Sequence, residues 1–229
     1  GSQPHFGRTS SSATDLAAYS VVIWFTGDEF GGFSGPGAAG EAALATWLDN
    51  GGCLLISSQD YYWDRGLTGF MSEYLGVGSA ESDVSQSTVT GNGDVFGGMG
   101  PYGLTYPFTN YSDRVDPNAG GLVSFVGNQG NAAVQKETGT YRTTFMGFPL
   151  EAVALNDRVQ VVQTMLDWCG GLAPDCPADI DGDGAVAVTD LLAVLAAWGQ
   201  SGDADVNDDG TVDVQDLLIV LGAWGVCGQ

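Results

Sequence analysis

The stretch that decides the fold of the C-terminal segment reads Asp179-Ile-Asp-Gly-Asp-Gly184, and Asp190 follows six residues later. Oxygen-bearing side chains thus occupy positions 1, 3, 5 and 12 of a short loop, with glycine at position 6, which is the spacing of a calcium loop. Calcium takes six to eight oxygen ligands, so such a loop must turn several carboxylates inward. The predicted ligands of the first ion are Asp179, Asp181, Asp183, Asp190 and the backbone carbonyl of Ala185.

The same frame returns 26 residues later as Asp205-Val-Asn-Asp-Asp-Gly210 with Asp216. Gly184 and Gly210 lie where the chain must bend sharply without a side chain in the way. A pair of acidic surface turns would not repeat the whole pattern, so the sequence predicts two bound calcium ions. The first loop has Ala187 at position 9, so we expect its site to be weaker or wetter. The predicted ligands of the second ion are Asp205, Asn207, Asp209, Asp213, Asp216 and the carbonyl of Thr211.

The repeat continues beyond the ligands, because the apolar run Asp190–Gly199 is matched by Asp216–Gly225. Each unit therefore reads as a loop followed by one helix of about nine residues that glycine ends. From residue 173 onward the chain carries eleven Asp and no Lys or Arg. Bound calcium would neutralise part of this self-repulsion, so we expect a small all-α module over 173–229 whose folding depends on calcium.

A loop with a helix on one side only, used twice, resembles a dockerin module over about residues 174–229. The resemblance implies docking onto a cohesin-like or other extracellular anchoring protein, and a setting in polysaccharide catabolism. One departure concerns the partner. Dockerins of the cellulosome type usually carry a hydroxyl pair at loop positions 10 and 11 and a basic residue in the next helix. This chain has Val188-Thr189 and Val214-Gln215 there, and no basic residue.

The four cysteines allow three pairings, which the sequence alone does not separate. The brackets Cys176 and Cys227 resemble a dockerin-like subgroup whose ends are joined by a disulfide. That resemblance implies a Cys176–Cys227 bond, which would leave Cys53 to pair with Cys169. Disulfides and calcium loops both favour a secreted, extracellular protein.

The first 172 residues divide into a flexible arm, 1–15, and an α/β domain, 16–172. The apolar run 20–27, a helical stretch at 41–50 and a second apolar run at 53–58 predict a parallel strand–helix–strand unit. A second helix is expected at 66–75 and a closing helix at 151–168. Between residues 82 and 141 the periodicity shortens to two, which predicts a β-rich insertion.

Four segments, 19–28, 47–52, 54–60 and 147–151, resemble a class I glutamine amidotransferase-like domain of the non-catalytic kind found in large secreted bacterial proteins. The resemblance implies a flavodoxin-like, mostly parallel sheet whose first strand would lie before residue 16 and is not in this chain. Cys53 opens a strand instead of following one, and the only histidine is His5 in the arm. A thiol nucleophile without a positioned base loses most of its rate, so we expect no catalytic residues and no enzyme activity.

A possible ligand crevice lies where parallel strands end, and it would bind a cation or sugar hydroxyls. Its predicted residues are Asp28, Ser57, Ser58 and Asp60.

The net charge of −22 argues against nucleic-acid and anionic-membrane partners, because both require basic patches. No apolar run is long enough to cross a bilayer. The favoured interpretation is thus a non-enzymatic C-terminal region of a secreted protein, with a docking module attached to a degenerate α/β domain. One alternative is a carbohydrate- or ligand-binding, or weakly hydrolytic, α/β domain anchored by the calcium module. Another is a structural protein that self-associates through the helices at Leu191 and Leu217.

Overall fold

A computed structural model of the chain describes residues 16–17, 19–32, 34–170, 176–181, 185–207 and 209–226. The predicted arm, 1–15, lies outside the described residues. The chain divides into two units, residues 1–169 and 170–229. The described part contains no helix that is long and apolar enough to cross a bilayer.

The first unit is a mixed α/β structure. Its described helices are α1 (Gly37–Leu48), α2 (Tyr61–Arg65), α3 (Gly69–Glu73), α4 (Gly93–Phe96) and α5 (Leu155–Trp168). Its described strands are β1 (Val21–Phe25), β2 (Cys53–Ser57), β3 (Val77–Glu81), β4 (Thr88–Gly91), β5 (Tyr102–Gly103), β6 (Arg114–Pro117), β7 (Leu122–Gly127), β8 (Gly130–Glu137) and β9 (Arg142–Met146).

The main sheet is parallel at one end and antiparallel at the other. Its seven strands run in the order β1-β2-β9-β8-β7-β4-β5. The pairs β1–β2 and β2–β9 are parallel, and the four pairs from β9 to β5 are antiparallel. The region predicted to be β-rich, 82–141, thus extends this sheet, while β3 and β6 form a separate two-stranded ribbon. The sheet is therefore mixed.

The central strand β2 is buried along its whole length, as its continuous apolar run predicts. Because successive side chains of a strand point to opposite faces, Leu54 and Ile56 enter one core and Leu55 enters another. The first core also contains Leu44, Trp47 and Leu48 of α1, and the second contains Val161 and Met165 of α5. Helices thus cover both faces of the parallel strands, and full burial of each large apolar side chain contributes about 1.5–3 kcal/mol.

The helix predicted at 66–75 is wrong in its bounds. Two short helices, α2 and α3, are separated at Gly66, whose φ of 63° is a left-handed conformation that favours glycine. The Thr68 hydroxyl then accepts a hydrogen bond from the backbone N–H of Met71 at 3.1 Å and caps α3. The punctuation by Gly and Thr overrides the apolar spacing.

A disulfide joins Cys53, the first residue of β2, to Cys169, the residue after α5, with the two Cα atoms 5.7 Å apart. The predicted Cys53–Cys169 pairing is thus present. Cys176 is also disulfide-bonded. Its predicted partner, Cys227, lies outside the described residues.

The second unit contains two helices, α6 (Val188–Ala196) and α7 (Val214–Gly222), and two short strands, β10 (Ala185–Val186) and β11 (Gly225–Val226). The prediction of an all-α module is therefore wrong in one respect, because β10 and β11 form an antiparallel pair. Its core repeats at 26-residue intervals, and its buried members are Ala178 and Ala204, Val186 and Val212, and Val194 and Val220.

The two repeats of the second unit are interlocked. Val186 of the first repeat is paired with Gly225 at the end of the second. Reciprocally, the backbone N–H of Gly199 donates to the carbonyl of Val212 at 2.8 Å, and the Val212 N–H donates to Gln200 at 2.7 Å. Each loop is therefore held by the segment that follows the helix of the other repeat.

Candidate metal sites

The first acidic loop brings three carboxylates together. One oxygen each from Asp179, Asp181 and Asp190 lies within 4.8 Å of the other two. Calcium–oxygen distances are about 2.3–2.6 Å, so oxygens on opposite sides of one ion are about this far apart. These three residues therefore fit a single hard cation. The predicted ligand Asp183 lies outside the described residues.

Asp190 is fully buried, yet it is surrounded by donors. Its Oδ1 atom accepts the backbone N–H groups of Ile180 at 2.7 Å and Asp181 at 3.2 Å, and its Oδ2 atom accepts that of Ala187 at 2.7 Å. Burial alone would raise the pKa of this carboxyl, but the backbone hydrogen bonds outweigh burial and hold its pKa below the usual value. Three of its roughly four lone-pair positions are used, which leaves one for a cation.

Asp216 repeats this arrangement in the second loop. Its Oδ1 atom accepts the N–H groups of Val206 at 2.8 Å and Asn207 at 3.2 Å, and its Oδ2 atom accepts that of Asp213 at 2.7 Å. The backbone hydrogen bonds, led by that of Asp213, hold the pKa of Asp216 below its ordinary value. The corresponding distances in the two loops differ by no more than 0.1 Å, so the sequence repeat is also a structural one.

The other side chains of the second loop stabilise its turn. Asp205 accepts the N–H groups of Asp209 at 3.1 Å and Gly210 at 2.8 Å, and Asn207 also accepts that of Asp209, at 2.9 Å. Gly210 has a φ of 97°, which an L side chain rarely adopts, so glycine is required at this bend. These bonds bring the oxygen-bearing side chains of positions 1 and 3 onto the same turn.

The remaining predicted ligands have backbone or capping roles in the structure. Ala185 lies in β10, and Thr211 donates its N–H to Asp209 at 3.1 Å. Asp213 caps α7, because its carboxylate accepts the N–H of Gln215 at 2.7 Å. Their part in binding an ion stays a prediction.

Two exposed rows of apolar side chains lie on the helices that follow the loops. Each row has four members with exposed fractions between 47% and 62%, and the rows are related by the same 26-residue shift. We call them the paired apolar faces. The first comprises Val188, Leu192, Leu195 and Trp198, and the second comprises Val214, Leu218, Leu221 and Trp224.

The serines of the predicted ligand crevice are buried and bonded to backbone. The Ser57 hydroxyl donates to the carbonyl of Phe148 at 3.1 Å and accepts the N–H of Leu150 at 2.7 Å. The Ser58 hydroxyl donates to the carbonyl of Ser34 at 2.7 Å and accepts the N–H of Tyr61 at 3.1 Å. Both hydroxyls therefore fix loops at the carboxyl ends of the strands.

The two acids of that crevice have different surroundings. Asp28 is exposed, whereas only 6% of the Asp60 surface is accessible. Burial raises the pKa of Asp60 to about 6. The side chain of Gln59 opposes this shift, and the negative charges of Asp64 and Asp83 add to it. Binding of a ligand in the crevice stays a prediction.

Asp113 is a third acid at this end of the sheet, and the sequence patterns did not single it out. Its N–H donates to the carbonyl of Gly147, directly after β9, at 2.6 Å. Its side chain is fully buried, and its Oδ1 atom accepts the N–H of Asp83 at 3.2 Å. Burial, opposed by that hydrogen bond and reinforced by the charges of Asp60 and Asp83, raises the pKa of Asp113 to about 9.

A thiol nucleophile is not available at Cys53, because its sulfur is in the disulfide with Cys169. His5 lies outside the described residues.

The chain matches no protein-family profile. No curated protein is significantly similar to it. Solved structures give distant similarities. An exo-β-1,4-mannosidase from Opitutaceae bacterium strain TAV5 is 18% identical, with a TM-score of 0.44 over 68% of this chain and 25% of the mannosidase. A β-galactosidase from the Antarctic haloarchaeon Halorubrum lacusprofundi is 16% identical, with a TM-score of 0.45 over 68% of this chain and 23% of that one.

A cytoplasmic protein from Salmonella typhimurium is 13% identical, with a TM-score of 0.47 over 69% of this chain and 75% of that protein. The chain thus spans about a quarter of the length of the two glycosidases. At these identities and TM-scores, the similarities assign neither a family nor an activity to this chain.

Proposed function

We propose that residues 173–229 form a dockerin-like module that folds around two calcium ions and docks a secreted protein onto a cohesin-like or other extracellular anchoring protein. Residues 16–172 are, in this proposal, a non-catalytic domain of the amidotransferase-like, flavodoxin-like kind. The observation that carries the proposal is the convergence of Asp179, Asp181 and Asp190, whose oxygens lie within 4.8 Å of one another.

Calcium has a clear physical role in such a module. The described core of the second unit consists of Ala and Val side chains, which bury little apolar surface. Eleven Asp residues without a basic residue repel one another in the metal-free chain. Two divalent cations would neutralise the loop carboxylates, and their binding free energy would become folding free energy.

The paired apolar faces support the docking part of the proposal. Four large apolar side chains in a row on each helix exceed the single exposed residues that are ordinary on a protein surface. The surrounding charge is acidic, so a partner with an apolar patch and a basic rim would be complementary. The disulfides suit the extracellular setting that this function requires.

The calcium part is tested on the complete chain by isothermal titration calorimetry and far-ultraviolet circular dichroism. We expect two calcium ions per chain at the loops and a loss of helical signal in EDTA that calcium restores. Because α6 and α7 belong to the second unit, only part of the total helical signal should change. A spectrum that EDTA leaves unchanged would contradict the proposal.

The docking part is tested by surface plasmon resonance on immobilised cohesin modules. Because the two apolar faces are near copies, Leu192→Asp or Leu218→Asp alone should leave one face able to bind, whereas the double variant should lose binding. Leu122→Asp is the matched control, because Leu122 is 67% exposed on β7 of the first unit. Equal binding by the double variant and this control would exclude the faces as the docking surface.

Self-association is a second candidate, which the same exposed faces favour. Sedimentation velocity with and without calcium separates the two, because a docking module awaiting a partner stays monomeric. A calcium-dependent dimer that Leu192→Asp/Leu218→Asp abolishes would establish self-association instead.

A further inference from the structure

The carboxyl ends of β2 and β9 carry a second group of acids that the calcium loops do not involve. The N–H of Ser58, which follows β2, donates to the carbonyl of Met146 at 3.1 Å. Asp60 lies two residues farther on, and Asp113 is attached to Gly147 through its own N–H. Ligand sites of α/β sheets lie at this end of their parallel strands.

One oxygen of this group lacks a hydrogen-bond partner. Asp113 is 0% exposed, and its Oδ2 atom is buried with no donor among the residues that the structure describes. A buried acceptor without a donor costs about 1–3 kcal/mol, and more when it is charged. The Oδ1 atom is held by the N–H of Asp83, which fixes the carboxylate beside the acidic loop. A ligand that satisfies Oδ2 would remove this cost.

No described basic side chain neutralises the group. Each of the five described basic residues is engaged elsewhere. Arg65 pairs with Glu41, Arg114 with Glu81 and Asp116, and Arg142 with Glu137, while Lys136 and Arg158 donate to backbone carbonyls. The charge that balances Asp60 and Asp113 must therefore come from a proton or from a bound cation.

We propose that Asp60 and Asp113 bind one divalent cation at the carboxyl ends of β2 and β9, independently of the two calcium loops. Carboxylate oxygens select hard cations, which are calcium and magnesium among the common ions. Asp113 supplies its unpartnered Oδ2 atom, and the small exposed part of Asp60 faces the solvent from which the ion enters. The raised pKa values of both residues describe the cation-free state, in which a proton takes the place of the ion.

The proposal is tested by equilibrium dialysis of the complete chain against calcium, with magnesium in a parallel titration. With both loops occupied, we expect three calcium ions per chain, and Asp113→Asn should lose one of them. The matched control is Asp94→Asn, which removes an exposed carboxylate from the same unit and should leave the number unchanged. Should magnesium be preferred, one magnesium site should disappear in Asp113→Asn.

A second variant keeps the test decisive if Asp113→Asn folds poorly. Asp60→Asn changes a more accessible carboxylate and should remove the same single ion. The loop variant Asp190→Asn/Asp216→Asn should keep the ion at Asp60 and Asp113 while it loses the other two. Two ions in the unaltered chain with either cation, or an unchanged count in Asp60→Asn, would overturn the proposal. Failure of the calcium loops alone would instead leave one ion in the unaltered chain and none in Asp60→Asn.

Discussion

Asp190 and Asp113 are both fully buried carboxylates, but the second unit surrounds one with donors and the first unit leaves the other nearly without them. Three backbone N–H groups donate to Asp190, whereas a single N–H donates to Asp113. The pKa of Asp190 is accordingly lowered, and that of Asp113 is raised to about 9. Burial by itself therefore does not decide whether an acid is ionised, since the count of peptide donors outweighs it.

The largest test of this comparison is Asp216→Ala in the second loop. The change removes the acceptor of three backbone N–H groups and one predicted calcium ligand. We expect the second unit to lose its helical signal even in excess calcium, as measured by circular dichroism. Asp203→Ala is the control, because it removes an exposed acid outside the predicted ligand set and should leave the spectrum intact.

Asp64 extends the comparison to a partly exposed acid of the first unit. Its carboxylate accepts the N–H groups of Gly31, Gly32 and Ser34 and the Ser34 hydroxyl. Burial raises its pKa, but these bonds, led by that of the Ser34 hydroxyl, lower it further, and the net pKa lies below the usual value. Its stabilising effect is thus present above the unfolded-state pKa and is lost as the pH falls through the folded-state value.

We therefore expect Asp64→Ala to lower the free energy of unfolding by about 1–3 kcal/mol at neutral pH, as urea denaturation would measure. The difference between the variant and the unaltered chain should shrink in acid. A difference that stays constant from neutral pH to below the folded-state pKa would show that the carboxylate charge is not what stabilises this loop.

The smallest expected effect is that of Asp113→Asn in chelator. The amide keeps the oxygen that accepts from Asp83 and removes the group whose charge is unfavourable. We expect the free energy of unfolding to change by less than about 1 kcal/mol at pH 8, or to rise. A loss of several kcal/mol would mean that the unpartnered oxygen has a partner that the proposed cation site does not include.

The difference between the two acids also explains how much of the molecule the sequence could predict. The donors to Asp190 lie within ten residues of it, so the loop is legible as a local pattern that recurs 26 residues later. Asp113 depends on Asp83 and Gly147, which are 30 and 34 residues away, and no local spacing records such contacts. Candidate ligands on one loop were therefore predictable, whereas a cluster assembled from several loops was not.

The strands show the same division. The buried run of β2 was evident because its five residues are apolar or small and lie between glycine and polar turns. The antiparallel half of the sheet was predicted only as a β-rich stretch, because the partner of each strand depends on turn geometry and on long-range pairing. Gly66 was a signal that could have been used, since glycine between two short apolar stretches favours two helices over one.

The reciprocal pairing of Val186 with Gly225 and of Val212 with Gly199 has a consequence for ion uptake. Neither half of the second unit can close its own loop, because the closing backbone belongs to the other half. Occupancy of one loop should therefore prepare its twin, and calcium should enter with a Hill coefficient above one. For the same reason, a fragment cut after the first helix would retain its acids and lose its shape.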